Sequence, residues 1–156
     1  MKKTNAARIL DSYRIDYEMV EYQVNEEDLS ATTVAAKLGQ NVEQVFKTLV
    51  LRGNVTGIFV CVVPGDTEVN LKKAAKISGN KNAEMVQMKE LLPLTGYIRG
   101  GCIPLEMKKP YPVFIHETCL LFPFIYVSGG KRGMQLKLDP NDLIKCTSAV
   151  ISDLVD

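Results

Sequence analysis

Apolar positions along this chain switch repeatedly between a helical and a strand period. Ala6, Ala7, Ile9 and Leu10 follow Thr4 at helical spacing, and the threonine is placed to cap the segment. Tyr17-Glu18-Met19-Val20-Glu21-Tyr22 then reads as a strand of mixed exposure. Ser30 opens a helix that turns Val34, Ala35 and Leu38 inward and is closed by Gly39. The β-rich runs 46–51 and 58–63 flank Gly53-Asn54-Val55-Thr56-Gly57, the pattern of a hairpin. Asn70 caps a basic helix over 71–77 that ends near Gly79. A short strand at 83–86 and a helical turn at 89–92 lead into Pro93-Leu94-Thr95-Gly96.

Glycine and proline punctuate the second half. Gly100-Gly101 and Pro104 mark a turn, and strands are expected at 113–116, 124–127 and 134–138. Asp139-Pro140 supplies a cap and a first-turn proline for a helix over 141–146. These elements predict an α+β fold: a single domain over 1–156, with a mixed, curled β-sheet flanked by helices around a pocket.

Composition narrows the class. The 156 residues are enough to bury roughly 70% of the unfolded surface without disulfides or metals. Lys plus Arg number 19 against 18 Asp plus Glu, a net charge of +1, which argues against a uniformly basic nucleic-acid binder but not against a local basic groove. Thr4 and Asn5 follow Lys2-Lys3 where a secretory signal needs an apolar run, and no apolar stretch approaches the roughly 20 residues of a membrane span. A cytoplasmic protein with reduced thiols, no membrane partner and no DNA partner is expected. Cys61, Cys102, Cys119 and Cys146 are too far apart for a C-x-x-C motif. His116 is the single histidine, and its spacing from Cys119 is weak support for a metal; no metal or cofactor is expected. Cys61 reads as a small core residue.

Candidate chemistry centres on Lys47. In a strand it shares a face with Leu49 and Leu51, while Phe46, Thr48 and Val50 take the other. A lysine on a strand apolar on both faces must reach water, a carboxylate or a phosphate, or snorkel at the strand end. Two glycine loops, 96–104 and 128–133, offer backbone N–H groups and the cations Lys131 and Arg132 to a phosphate or carbonyl oxygen, although neither has the spacing of a P-loop. Lys108-Lys109 and the Lys72-Lys73-Lys76 face read as solvated surface or as an approach for RNA phosphates. Without a G-x-S-x-G elbow a serine–histidine hydrolase has little support, and Cys102 has only His116 to serve as a base.

Four stretches taken together resemble a known family: Val45-Phe46-Lys47-Thr48-Leu49, the helix Asn70-Leu71-Lys72-Lys73-Ala74-Ala75-Lys76, the run 92–102, and Tyr126-Val127-Ser128-Gly129-Gly130-Lys131-Arg132-Gly133. They are similar, in order and across nearly the whole chain, to the YbaK/EbsC family of aminoacyl-tRNA deacylases and to the editing domain of bacterial prolyl-tRNA synthetases. The resemblance implies trans-editing of mischarged Cys-tRNA(Pro), needed because pockets separate residues of similar size by only about 1–3 kcal/mol. It also implies that Lys47 is the indispensable residue, engaging the terminal nucleotide. Tyr22, Thr48, Gly100, Gly101, Cys102, Pro104, Ser128, Gly129 and Gly130 are the implied substrate-binding set, with the 128–130 loop opposite the first glycine loop. Lys72, Lys73, Lys108, Lys109, Lys131 and Arg132 are the implied tRNA-binding set. The favoured family mechanism has the substrate thiol attack its own ester, releasing a thiolactone, so neither a protein nucleophile nor a metal is required. Prolyl-tRNA synthetase is the implied partner, in a transient ternary complex.

Two positions depart from the family pattern. Ile103 stands where a serine often precedes the proline, and Glu106 where a glycine is common. They leave open a deacylase for another small residue such as Ala-tRNA(Pro), or a noncatalytic tRNA- or synthetase-binding protein.

Overall fold

The structure is a computed structural model, and it describes residues 2–156. Two β-sheets form its frame. A five-stranded mixed sheet runs in the order β4 (Ala83–Met85), β2 (Phe46–Gly53), β3 (Gly57–Pro64), β5 (Val113–His116), β8 (Val150–Ser152). A three-stranded antiparallel sheet has the order β1 (Tyr17–Glu21), β7 (Met134–Leu138), β6 (Ile125–Ser128). One parallel bridge, between Val45, just before β2, and Tyr126 of β6, joins the two sheets.

The predicted hairpin is the spine of the molecule. β2 and β3 pair antiparallel from Phe46–Pro64 to Gly53–Gly57. β3 is buried on both faces: Val60 and Val62 point into the core shared with the small sheet, while Phe59, Cys61 and Val63 point into a second core under α3 (Leu71–Ser78). That explains its nearly unbroken apolar run. Asn80 holds the hairpin turn, its Oδ1 accepting from the Val55 and Thr56 N–H groups at 2.8 Å each.

The caps read from sequence form as expected. Thr4 accepts from Ala7 N at the start of α1 (Asn5–Ser12), Ser30 from Thr33 N at α2 (Ala31–Leu38), Asn70 from Lys73 N at α3, and Asp139 from Asn141 N at α5 (Pro140–Thr147). α1 and α5 cover the main core, while α2 packs on Val45 and Tyr126 at the junction of the sheets.

Two elements differ from expectation. The turn at 89–92 is a full helix, α4 (Met88–Thr95), that continues through Pro93. The proline removes one backbone hydrogen bond, but a two-pronged ion pair from Arg52 of β2 to Glu90, at 2.7 and 3.4 Å, and full burial of Thr95 hold the helix in place. β8 has no counterpart in the sequence reading. It is three residues long with Val150 and Ile151 exposed, so no alternation of apolar and polar residues announces it.

Candidate active site

A cleft of about 270 Å³ opens where the two sheets meet α2. Its floor is the start of β2, with Val45, Phe46, Lys47, Thr48 and Leu49; α2 and the preceding Leu29 form one wall. The other wall is Arg99, Gly100 and Cys102, and Ser128 and Gln135 close the end towards the small sheet. A second groove, of about 340 Å³, adjoins it along Thr48, Leu49, Arg99, Gly100 and Cys102, and runs out past Met85 and Met88.

Lys47 is half-buried in this cleft, and its ammonium donates to the carbonyl oxygen of Gly65 at 3.3 Å. Burial lowers its pKa below the ordinary lysine value, against the opposing pull of Glu68 and Asp66. Gly65 itself was not signalled by the sequence, although it follows Pro64 at the end of β3. A side chain there would collide with Ala31 Cβ at 2.4 Å and with the Val45 carbonyl at 2.8 Å.

The two glycine loops, expected to oppose each other across the pocket, are packed directly together. Arg132 Nε donates to the Arg99 carbonyl at 2.8 Å, and the Ser128 hydroxyl approaches the Gly100 carbonyl at 3.5 Å. A Cβ on Gly101 would lie 3.0 Å from Lys131 Cα, and one on Gly129 would lie 2.3 Å from Met134 Cγ. Gly101 permits the close approach of the two loops and Gly129 the tight turn back onto Met134 of β7, and their N–H groups are already engaged, donating to the Ile98 and Met134 carbonyls. Gly100 is different: it sits at φ +87 on the cleft wall. Among the described residues the N–H groups of Gly100 and Cys102 have no intramolecular acceptor.

Of the expected substrate-binding set, then, Thr48, Gly100, Cys102 and Ser128 line the cleft with Lys47. Gly101, Gly129 and Gly130 build the loops behind it. Tyr22 packs beside Val34, Val45 and Tyr126, next to the cleft rather than in its lining. Pro104 lines a different depression, shared with Lys108 and Lys109. Arg99 and Gln135 line the cleft without having been singled out in the sequence; arginine in a loop and glutamine in a strand carry no distinctive pattern.

The cations are dispersed. Lys131 is exposed on the second glycine loop, and Arg132 beside it pairs with Glu26 at 2.7 Å. Lys72 is exposed on α3. Lys73 is bound to Asp153 at 2.7 Å and to the Val155 carbonyl at 2.5 Å, which ties it to the C-terminal segment. Ile103 is fully buried in the main core, so the loss of a hydroxyl at that position does not alter the cleft wall. Glu106 is exposed and takes a left-handed backbone, φ +56, which is why glycine suits this position.

No thiol is prepared for nucleophilic attack. Burial pushes Cys102 and Cys61 up to about 12, and Cys119 and Cys146 up to about 11. His116 is at the end of β5, where its Nδ1 accepts from Leu154 N at 3.1 Å; it does not share a helical face with Cys119. Among the described residues no three His, Cys, Asp or Glu side chains converge to hold a metal.

Residues 26–146 match the family described as the aminoacyl-tRNA editing domain. The chain belongs to that family. Over 153 residues it is 44% identical to a protein of Enterococcus faecalis provisionally named a Cys-tRNA(Pro)/Cys-tRNA(Cys) deacylase, EbsC, covering 98% of this chain and 93% of that one. Among solved structures, one provisionally described as a trans-editing enzyme for prolyl-tRNA synthetase matches this editing domain with a TM-score of 0.83 and 25% identity over 99% of both chains. The hypothetical protein APE2540 shares the fold, with a TM-score of 0.87 and 24% identity over 96% of this chain and 97% of its own. The cleft occupies the matched segment, and the lysine and both glycine loops of the editing domain fall inside it.

Proposed function

We propose that this editing domain is a free-standing deacylase that clears Cys-tRNA(Pro), acting in the cytoplasm, with the whole described chain as its single domain. One observation carries the reading. A half-buried lysine lies at the floor of a cleft whose lining holds no histidine, no carboxylate and no ionised thiol, so the site is built to position a substrate that supplies its own nucleophile. The near relationship to EbsC supports cysteine as the amino acid removed.

In this reading the cysteinyl ester enters the cleft with its carbonyl beside the first glycine loop. The substrate thiol attacks the ester carbonyl, a C–S bond forms and the C–O bond to the ribose breaks. The thiol proton passes to the departing ribose oxygen, and a cysteine thiolactone is released. The free N–H groups of Gly100 and Cys102 are the available donors for negative charge building on the carbonyl oxygen. Lys47 holds the terminal nucleotide by charge, and its loss of the Gly65 contact on binding is balanced by the new phosphate or hydroxyl contact. Arg99, exposed on the cleft wall, and Lys131 and Arg132 on the adjoining loop are the cations offered to the tRNA backbone beside the cleft, with Lys72, Lys108 and Lys109 as further contributors. A transient complex with prolyl-tRNA synthetase would present the tRNA to this sparsely charged surface.

The test is release of labelled amino acid from Cys-tRNA(Pro) and from Ala-tRNA(Pro), with Lys47→Ala alongside. Selective loss of cysteine, slowed at least 100-fold by Lys47→Ala, supports the reading. Equal loss of alanine would show that water rather than a thiol attacks, and loss of neither would remove the enzyme claim.

A further inference from the structure

Two residues of the cleft lining each carry a buried polar atom that the fold leaves without a partner. Gln135 lies on β7 directly across from Ser128 of β6, is 5% exposed and lines the cleft. Its Oε1 is buried with no hydrogen-bond partner. Thr48 Oγ1, arriving from β2 on the opposite side, is in the same condition. Buried acceptors without partners weaken a fold, and methionine or leucine at position 135 would fill the same space without that penalty. A glutamine here is therefore informative about what enters the cleft.

Charge identifies the missing partner. The charged residues in the lining are Lys47 and Arg99, and there is no carboxylate. An α-ammonium entering such a site meets two cations in the lining, while the nearest carboxylates, Glu68 and Asp66, lie outside it and already act on Lys47, so the aminoacyl group is favoured with its amine neutral. A neutral amine is held by an acceptor that need carry no charge, such as an amide oxygen. Within the aminoacyl group itself, leaving the ribose hydroxyl aside, it is the principal hydrogen-bond donor, since a thiol donates only weakly.

We propose that Gln135 is a specificity residue whose Oε1 accepts a hydrogen bond from the α-amino group of the bound aminoacyl ester, an inference that takes its substrate class from the deacylase reading above. The amide turns Oε1 towards the cleft by rotation about its last torsion, which is broad and soft. Since Oε1 has no protein partner, the rotation breaks no bond made by that atom. Ser128, across the strand pair, accepts from Gly130 N with its hydroxyl oxygen and turns its O–H towards the Gly100 carbonyl, and does not compete for the amine.

The experiment measures binding rather than turnover. Two non-hydrolysable probes are titrated into the full chain: 3′-cysteinylamino-3′-deoxyadenosine, and its 3-mercaptopropionyl counterpart, which lacks only the α-amino group. The wild-type protein should bind the cysteinyl probe about tenfold more tightly, Gln135→Met should bind the two alike, and Gln135→Glu should restore a preference for the amine. Gln135→Met should also unfold at the same or higher urea concentration than the wild type. A preference that survives in Gln135→Met, the absence of binding to either probe, or a clear loss of stability in Gln135→Met each overturns the proposal. A protein that shows the Gln135-dependent preference but releases nothing from Cys-tRNA(Pro) refutes the deacylase reading while leaving the α-amino contact in place.

Discussion

Lys47 illustrates how a single residue trades stability for chemistry. Burial disfavours its charge, so Lys47→Met should keep or raise the urea midpoint while abolishing deacylation; a variant that loses both would mark the lysine as structural. Cys102 makes the opposite prediction. Its thiol stays protonated at neutral pH, so Cys102→Ala should retain turnover within about tenfold, and a complete loss in single-turnover assays would reinstate it as a nucleophile. Glu106 bears only on the fold. It holds a left-handed backbone in solvent, and Glu106→Gly should stabilise the protein by about 0.5–1 kcal/mol in urea denaturation with activity unchanged. Lys47 was legible in the sequence because a charge interrupts an apolar strand. Gln135 was not, because nothing in its neighbours shows that β7 faces a cleft at that position.

At the level of elements, the site depends on two loops pressed together, with backbone against backbone at Gly101 and Lys131. Gly101→Ala would set a methyl group 3.0 Å from Lys131 Cα, so the loops must separate. The expected result is a loss of about 1–3 kcal/mol in stability together with a fall in deacylation of at least tenfold, read from urea midpoints and single-turnover rates on one preparation. An unaffected rate would show that the first loop does not shape the carbonyl site. Both loops were recognisable from their glycines, and so were the strands that flank the second. Their mutual contact was not, since it is made by groups about thirty residues apart in the chain, Arg132 with the Arg99 carbonyl and Ser128 with the Gly100 carbonyl. The same holds for α4, whose continuation through Pro93 depends on the ion pair from Arg52 on another element.

Across the whole molecule, the C-terminal segment is strapped to the five-stranded sheet. β8 pairs with β5, Asn70 N donates to the Leu154 carbonyl, Lys73 grips Asp153, and buried His116 accepts from Leu154 N. Burial lowers the His116 pKa from its ordinary 6.5, outweighing the nearby Asp153 carboxylate, and the bond from Leu154 N requires Nδ1 to be unprotonated. Protonation therefore favours the unfolded chain: stability is full above pH 6.5 and declines as the pH falls through that value towards the lower folded pKa. Urea midpoints between about pH 7.5 and 5 should fall accordingly, and His116→Gln should flatten the decline. The acids with lowered pKa values, among them Asp153 and Glu90, act only at lower pH, below their ordinary 3.8 and 4.5, so the two windows are separable. A flat profile in the wild type above pH 5 would show that the strap does not depend on a neutral histidine.

The sequence by itself determined the helices other than α4 with their caps, the central hairpin, the α+β class, the lysine and both glycine loops. Each of these is encoded by neighbouring residues through side-chain alternation, capping hydroxyls and amides, or backbone freedom at glycine. Only the tertiary structure decided that the two loops form one wall, that Lys73 serves the C-terminal strap, that Ile103 belongs to the core, and that Gln135 looks into the cleft. Those facts depend on contacts between residues far apart in the chain, and no local pattern encodes which segments will be neighbours once the two sheets meet.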